Sequence, residues 1–376
     1  MQCTGNTDMS AHKDEQRIVW LDIARVLAIV SISSNHAVNR AFRNFGTLNE
    51  AYMIVPYSVT IFRAIISVFS RLGVPLFLMI TGALCLKKEF EKPETVKTFY
   101  LHNLLGIFIT SELWYFIMFW YRTLLRSNTI LEKGFVYAIK RCIGTMLFID
   151  QETMGSMWYI PMILCVYTVI PLLGISVQKL DRIALLVPMI CVTFASMIIP
   201  NISRAIDVIF NKDISFAISS ENIFSMFSVF VIVGYFVNQK IFSTLHELIL
   251  IIASIGLFAL CVFYQIWEYS LIEGEHMGYD FFPLGVLAII LFEIIRRKFE
   301  SKRENVIISY ISKISFAIYF VHVIIVSGLA GLSFGRTWSP ILLFFFYEVA
   351  SFVGSIVVVK VLGKNQIIRE RLFLIK

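Results

Sequence analysis

The chain has 376 residues, 58% of them hydrophobic and only 16% charged, with 34 phenylalanines. A soluble domain is about half apolar and a quarter charged, so this composition excludes a water-soluble globule and indicates a polytopic membrane protein. The net charge of +7 does not point to nucleic acid, because the basic residues fall in short loops between apolar runs, as membrane topology requires.

Residues 1–16 hold Asp8, Asp14 and Glu15 against Lys13, unlike the basic head of a signal peptide. No small-residue cleavage site follows the first apolar run, which therefore reads as an uncleaved span. Ten helical spans are predicted, at about 17–38, 60–86, 99–122, 157–177, 183–200, 222–239, 245–268, 279–297, 306–331 and 338–362, each near the twenty residues a bilayer needs. The expected fold is an all-α bundle of about ten transmembrane helices. Lys and Arg number 18 on the N-terminal side of these spans and 10 on the other, Arg122 included. That excess predicts that both termini are cytoplasmic. The domain plan is then an N-terminal tail 1–16, one transmembrane domain 17–362 and a C-terminal tail 363–376.

The first span, with its outer flank, reads RIVWLDIARVLAIVSISSNHAVNRAFR and carries Asp22, Arg25 and His36. Charged groups in hydrocarbon are costly and usually face the bundle interior. Eleven residues separate Arg25 from His36, about three helical turns, so both lie on one face roughly 16 Å apart along the axis. Asp22 and Arg25, three apart, share that face and can neutralise each other. This helix is predicted to line a polar cavity. The second span contains Arg63, Arg71, Gly73 and Pro75. It reads as an amphipathic lead-in followed by a kinked helix, with Arg71 at depth and Arg63 snorkelling outward. Glu112 in the third span has no evident partner, and the 123–156 loop is expected to hold an interfacial helix near 135–148. Trp158 and Tyr159 open the fourth span, where amphipathic aromatics favour the membrane surface. After the basic loop RRKFESKREN, the ninth span steps Ser315, Tyr319 and His322 by four and three, a single stripe. The six cysteines are scattered without metal-ligand spacing, so no metal site is indicated.

Arg25-X10-His36 after Leu-Asp in a first span resembles the signature of the bacterial membrane-bound acyltransferase-3 family. So do Arg71 before GVPLFLMITGALCL, then MWYIPMILCVYTVIPLL and ISKISFAIYFVH. The resemblance runs from the first span to the ninth. It implies a bacterial inner-membrane enzyme that moves an acyl group, usually acetyl, from cytosolic acyl-CoA to a hydroxyl of an envelope glycan or its lipid-linked precursor. Membrane lipids are then its surroundings, and no cofactor is permanently bound. Where many members carry an arginine pair entering the third span, this chain has Lys97 and His102.

The chemistry of the residues agrees with that implication. Acyl transfer to a hydroxyl needs a base or an acyl-carrying nucleophile, and imidazole suits either. His36, about two-thirds along its helix, is the catalytic candidate. Arg25, held by Asp22, can attract CoA phosphates. Arg71 adds positive potential to the cavity or binds the acceptor; Trp158, Tyr319 and His322 are candidates for the substrate walls, with anchoring at the membrane surface as the alternative for Trp158 and packing between helices for Tyr319 and His322. The competing function is a transporter or flippase of lipid-linked sugars. Such proteins commonly show matched helix breaks in two halves, whereas the one break visible here, at Gly73–Pro75, has no counterpart.

Overall fold

Apolar runs in hydrocarbon can satisfy their own backbone groups as helices, and every described element is helical. The structure, a computed structural model, describes residues 18–43, 54–126, 133–148, 157–210, 226–271, 277–332 and 338–375. The N-terminal tail predicted at 1–16 lies outside them. In chain order the helices are α1 Val19–Ala41, α2 Tyr57–Arg71, α3 Gly73–Cys85, α4 Pro93–Phe99, α5 Leu105–Arg126, α6 Phe135–Met146 and α7 Tyr159–Lys179. They continue as α8 Arg182–Thr193, α9 Ile199–Phe210, α10 Met226–Asn238, α11 Glu247–Ser270, α12 Phe282–Phe299, α13 Val306–Gly331 and α14 Pro340–Leu362. Single π-helical turns join α4 to α5 at Tyr100–Leu104 and α8 to α9 at Phe194–Ile198.

Among the described residues, eight helical stretches are long and apolar enough to cross a membrane. The sixth and eighth predicted spans are also helices, but α10 has only 13 residues and α12 ends in Arg296, Arg297 and Lys298. The break foreseen in the second span falls at Leu72, between α2 and α3. Pro75 sits in the first turn of α3, where its missing N–H costs no helical bond. α6 is the helix expected near 135–148, and it exposes Phe135, Val136, Ile139 and Ile143. Arg63 corrects its expectation. It does not snorkel but is buried, its guanidinium 4.6 Å from the Phe42 ring and 4.9 Å from the Tyr269 ring, because the two aromatic faces solvate the cation.

α1 is the hub and packs against α2, α3, α12, α13 and α14. Ala24, Ala28, Ala37 and Ala41 on it are wholly buried, and such small residues let membrane helices approach closely. The tightest crossing joins α3 to α10: a Cβ on Gly82 would lie 1.8 Å from the Val231 carbonyl, and one on Gly234 would lie 2.1 Å from that of Met79. Outward, Leu248, Ile249, Ile252, Ile255 and Phe263 of α11 are exposed, a surface suited to lipid. The C-terminal segment folds back on the bundle. Trp114 donates to the Leu372 carbonyl at 2.8 Å, and Phe373 is buried.

Candidate active site

Paired contacts fix how α1 and α13 lie. Asp22 meets Ser312, His36 meets His322 and Arg40 meets Ser327, so residue numbers rise together and the two helices run parallel. Their polar stripes form one seam. At one end Ser312 Oγ donates to Asp22 Oδ1 at 2.5 Å and accepts from Arg25 Nη1 at 3.1 Å. The direct Arg25–Asp22 contact is longer, 3.9 Å. The mutual neutralisation predicted for this pair is therefore bridged by a serine from α13. Ser309, one turn earlier, donates to Glu304 at 2.7 Å, which puts this end of the seam beside the basic 296–305 loop.

At the other end the rings of His36 and His322 have centroids 5.1 Å apart. His322 is fully buried, and its Nδ1 lies 2.7 Å from the Ile318 carbonyl. A carbonyl only accepts, so Nδ1 carries the proton and Nε2 keeps its lone pair. That Nε2 has no hydrogen-bond partner among the described residues. His36 is half-buried. Arg40, Arg71 and Arg122 are near enough to act on it electrostatically.

Two cavities open onto this seam. One, about 180 Å³, is lined by Arg25, Thr81, Tyr167 and Ser315. The second, about 20 Å³, is lined by Asn35, His36, Ser70, Trp158 and Tyr279. The smaller one has roughly the room of a single water. Tyr159 and Tyr319 belong to the walls of both, with ring centroids 5.8 Å apart. They form the partition between an arginine chamber and a histidine chamber. The larger apolar cavity between α7, α8 and α10, about 240 Å³, offers no comparable chemistry.

Every candidate from the sequence lies on this seam or its rim. Asp22, Arg25, Tyr319 and His322 lie along α1 and α13. Trp158 faces Tyr279 with ring centroids 5.3 Å apart. Arg71 places its guanidinium 5.1 Å from the same Tyr279 ring. Lys97 and His102 are exposed at the α4–α5 junction, outside both cavities. Glu112 Oε1 is buried without a hydrogen bond among the described residues.

The sequence reading missed Tyr279, which stands just before α12 with no helical pattern to mark it. It also missed Asn35, which accepts from Ser70 at 3.3 Å, and Glu348 of α14, which accepts from Ser33 at 2.5 Å. A lone acid in the run FFFYEVASF was a legible signal, since intramembrane carboxylates seldom face lipid.

An acyltransferase-domain family model matches residues 18–360. No curated protein and no solved structure matches the chain significantly. The match covers nearly the whole length, and the chain belongs to this membrane acyltransferase-3 family.

Proposed function

From that membership, we propose that the protein is an O-acyltransferase of a bacterial inner membrane. It moves an acyl group, most simply acetyl, from cytosolic acyl-CoA to a hydroxyl of an envelope polysaccharide or of its lipid-linked precursor. Residues 17–362 form the catalytic domain, and both termini face the cytoplasm. The carrying observation is the seam itself: an arginine chamber and a histidine chamber, one behind the other, divided by Tyr159 and Tyr319. The donor comes from the Arg25 end, beside the basic loop, and the acceptor from the His36 end.

Arg25, oriented by Ser312 and Asp22, binds the CoA portion of the donor through its charge. The acyl group passes between Tyr159 and Tyr319 toward His36. His36 takes the proton from the acceptor hydroxyl as its oxygen bonds to the thioester carbonyl carbon. The tetrahedral intermediate collapses, the carbon–sulfur bond breaks, and the thiolate leaves with the proton that His36 had taken, which restores the neutral imidazole. His322, with its proton committed to Ile318, presents an acceptor nitrogen beside His36 and orients that ring or the hydroxyl. Arg71 and Trp158, set around Tyr279, hold the acceptor side. No permanently bound cofactor takes part.

The test uses the full chain in nanodiscs with radiolabelled acetyl-CoA and lipid-linked glycan extracted from the source cell, wild type against His36→Ala. Label in the glycan with wild type alone is the expected result. Equal transfer by His36→Ala would remove His36 from catalysis. Glycan translocation without any label transfer would favour a flippase instead.

A further inference from the structure

At the histidine end a third cavity, about 200 Å³ and mostly polar, lies between α9, α11 and the 277–281 segment. Its level is fixed by neighbours: Tyr269 hydrogen-bonds Ser67 at 2.9 Å, and Ser70, one turn on, bonds Asn35 beside His36. Inside it, Arg204 grips Glu268 through two bonds, Nε to Oε1 at 2.7 Å and Nη2 to Oε2 at 2.5 Å, and Tyr264 donates to the same carboxylate at 2.5 Å. Tyr264 also stacks on Phe281 with centroids 4.1 Å apart, both half-buried. Asp280 lines the cavity and has no ion-pair partner among the described residues. It folds back so that a Cβ on Gly278 would lie 2.0 Å from its Oδ1. Its chain neighbour Tyr279 lines the His36 chamber. One peptide link therefore separates the two cavities, about 3.8 Å between Cα atoms.

We propose that this cavity is a carbohydrate subsite, which holds one neutral sugar unit of the acceptor beside the unit presented to His36. This rests on the acyl-transfer reading above and deepens it. The volume is below the roughly 300–1,000 Å³ of a drug-sized ligand site, which suits a single ring rather than an oligomer. Both Glu268 oxygens are engaged by Arg204 and Tyr264, and the Asn201 side chain bonds the Asp280 carbonyl and the Phe282 N–H, so the Asp280 carboxylate is the group that accepts from the sugar's hydroxyls. An aromatic pair covers the apolar C–H face of the ring. The cavity lining places two carboxylates, Glu268 and Asp280, against the single guanidinium of Arg204, so its formal charge is negative. An acidic sugar is therefore disfavoured at this position, and a neutral one is accepted.

The test takes the full chain in nanodiscs, wild type against Asp280→Asn and Tyr264→Leu. The probe is neutral oligosaccharide released by mild acid from the source cell's envelope and fluorescently labelled at its reducing end. Binding is read by anisotropy without acyl-CoA, and transfer by steady-state kinetics with acetyl-CoA. The expected result for both variants is about tenfold weaker binding and a like rise in glycan KM, the size of one or two lost hydrogen bonds to a charged group. Acetyl-CoA KM stays within about twofold. Wild-type glycan binding in both variants overturns the subsite and leaves acyl transfer standing. Binding without transfer in wild type, weakened by Asp280→Asn, overturns acyl transfer and leaves the subsite. A wild type that neither binds nor transfers overturns both.

Discussion

Replacing Ser312 by Ala removes one hydroxyl and two hydrogen bonds. The hydroxyl donates to buried Asp22 at 2.5 Å and accepts from Arg25 at 3.1 Å, so both partners are charged. Net contributions to such bonds run about 1.5–3 kcal/mol each, and the Asp22 bond dominates because the Asp22 side chain is 7% exposed whereas that of Arg25 is 27% exposed. The expected loss of stability is about 2–3 kcal/mol. If Arg25 binds CoA, the same change lets its guanidinium wander, which costs about 1.4 kcal/mol of donor binding, a tenfold rise in acetyl-CoA KM. kcat should fall less than about threefold, since His36 lies some 16 Å away along α1. Thermal unfolding of the detergent-solubilised protein and initial rates against acetyl-CoA concentration measure the two effects separately. A lowered midpoint with unchanged KM would refute the donor role and leave the triad as scaffolding.

Three further outcomes follow from the geometry. His322→Phe keeps a ring against His36 but removes the acceptor nitrogen; kcat should drop about 10- to 100-fold with acetyl-CoA binding intact, and full activity by radiolabel assay would reduce His322 to packing. Gly234→Ala needs a Cβ 2.1 Å from the Met79 carbonyl. α3 and α10 must then part, with an expected loss of about 1–3 kcal/mol or more in denaturant unfolding, and an unchanged midpoint would show that this crossing is loose. Burial pushes the Asp280 carboxyl above its usual range, so the folded protein holds that proton more tightly than the unfolded chain does. Its contribution therefore favours folding at low pH and turns against folding as pH rises past the ordinary value near 4. Asp280→Asn should raise the thermal midpoint at pH 7 relative to wild type and narrow that difference near pH 4; a lower midpoint at pH 7 would contradict the burial argument.

The architecture was legible because hydrocarbon imposes a simple rule: the predicted spans fall on helices, although the second divides at Leu72 and eight helical stretches among the described residues, not ten, are long and apolar enough to cross a membrane. Much of the site was legible too. Helical spacing reports which residues share a face, and that placed Asp22, Arg25 and His36 on one stripe and Ser315, Tyr319 and His322 on another. Spacing says nothing about which stripe faces which. That the two join in parallel register, with Ser312 as the bridge, is decided by contacts between residues 286 to 290 apart in sequence. Glu268 and Asp280 stand where a span meets a loop, and there a charge reads as ordinary solvated surface. Arg63 was misread for the related reason that its aromatic partners, Phe42 at the end of α1 and Tyr269 of α11, lie 21 residues before it and 206 after it in sequence.

The Asp22–Ser312 bond spans 290 residues, with a consequence for how the protein is made. α1 leaves the ribosome and meets the bilayer long before α13 exists, so its aspartate must wait without its hydroxyl partner while most of the chain is synthesised. Arg25, on the same face one turn away, is a cation of the same helix near enough to shield it in that interval. The pair that looks loose in the finished protein, at 3.9 Å, is then most important before folding ends. Exchange of Arg25 for a neutral residue should impair membrane insertion of the nascent chain as well as any binding of the donor.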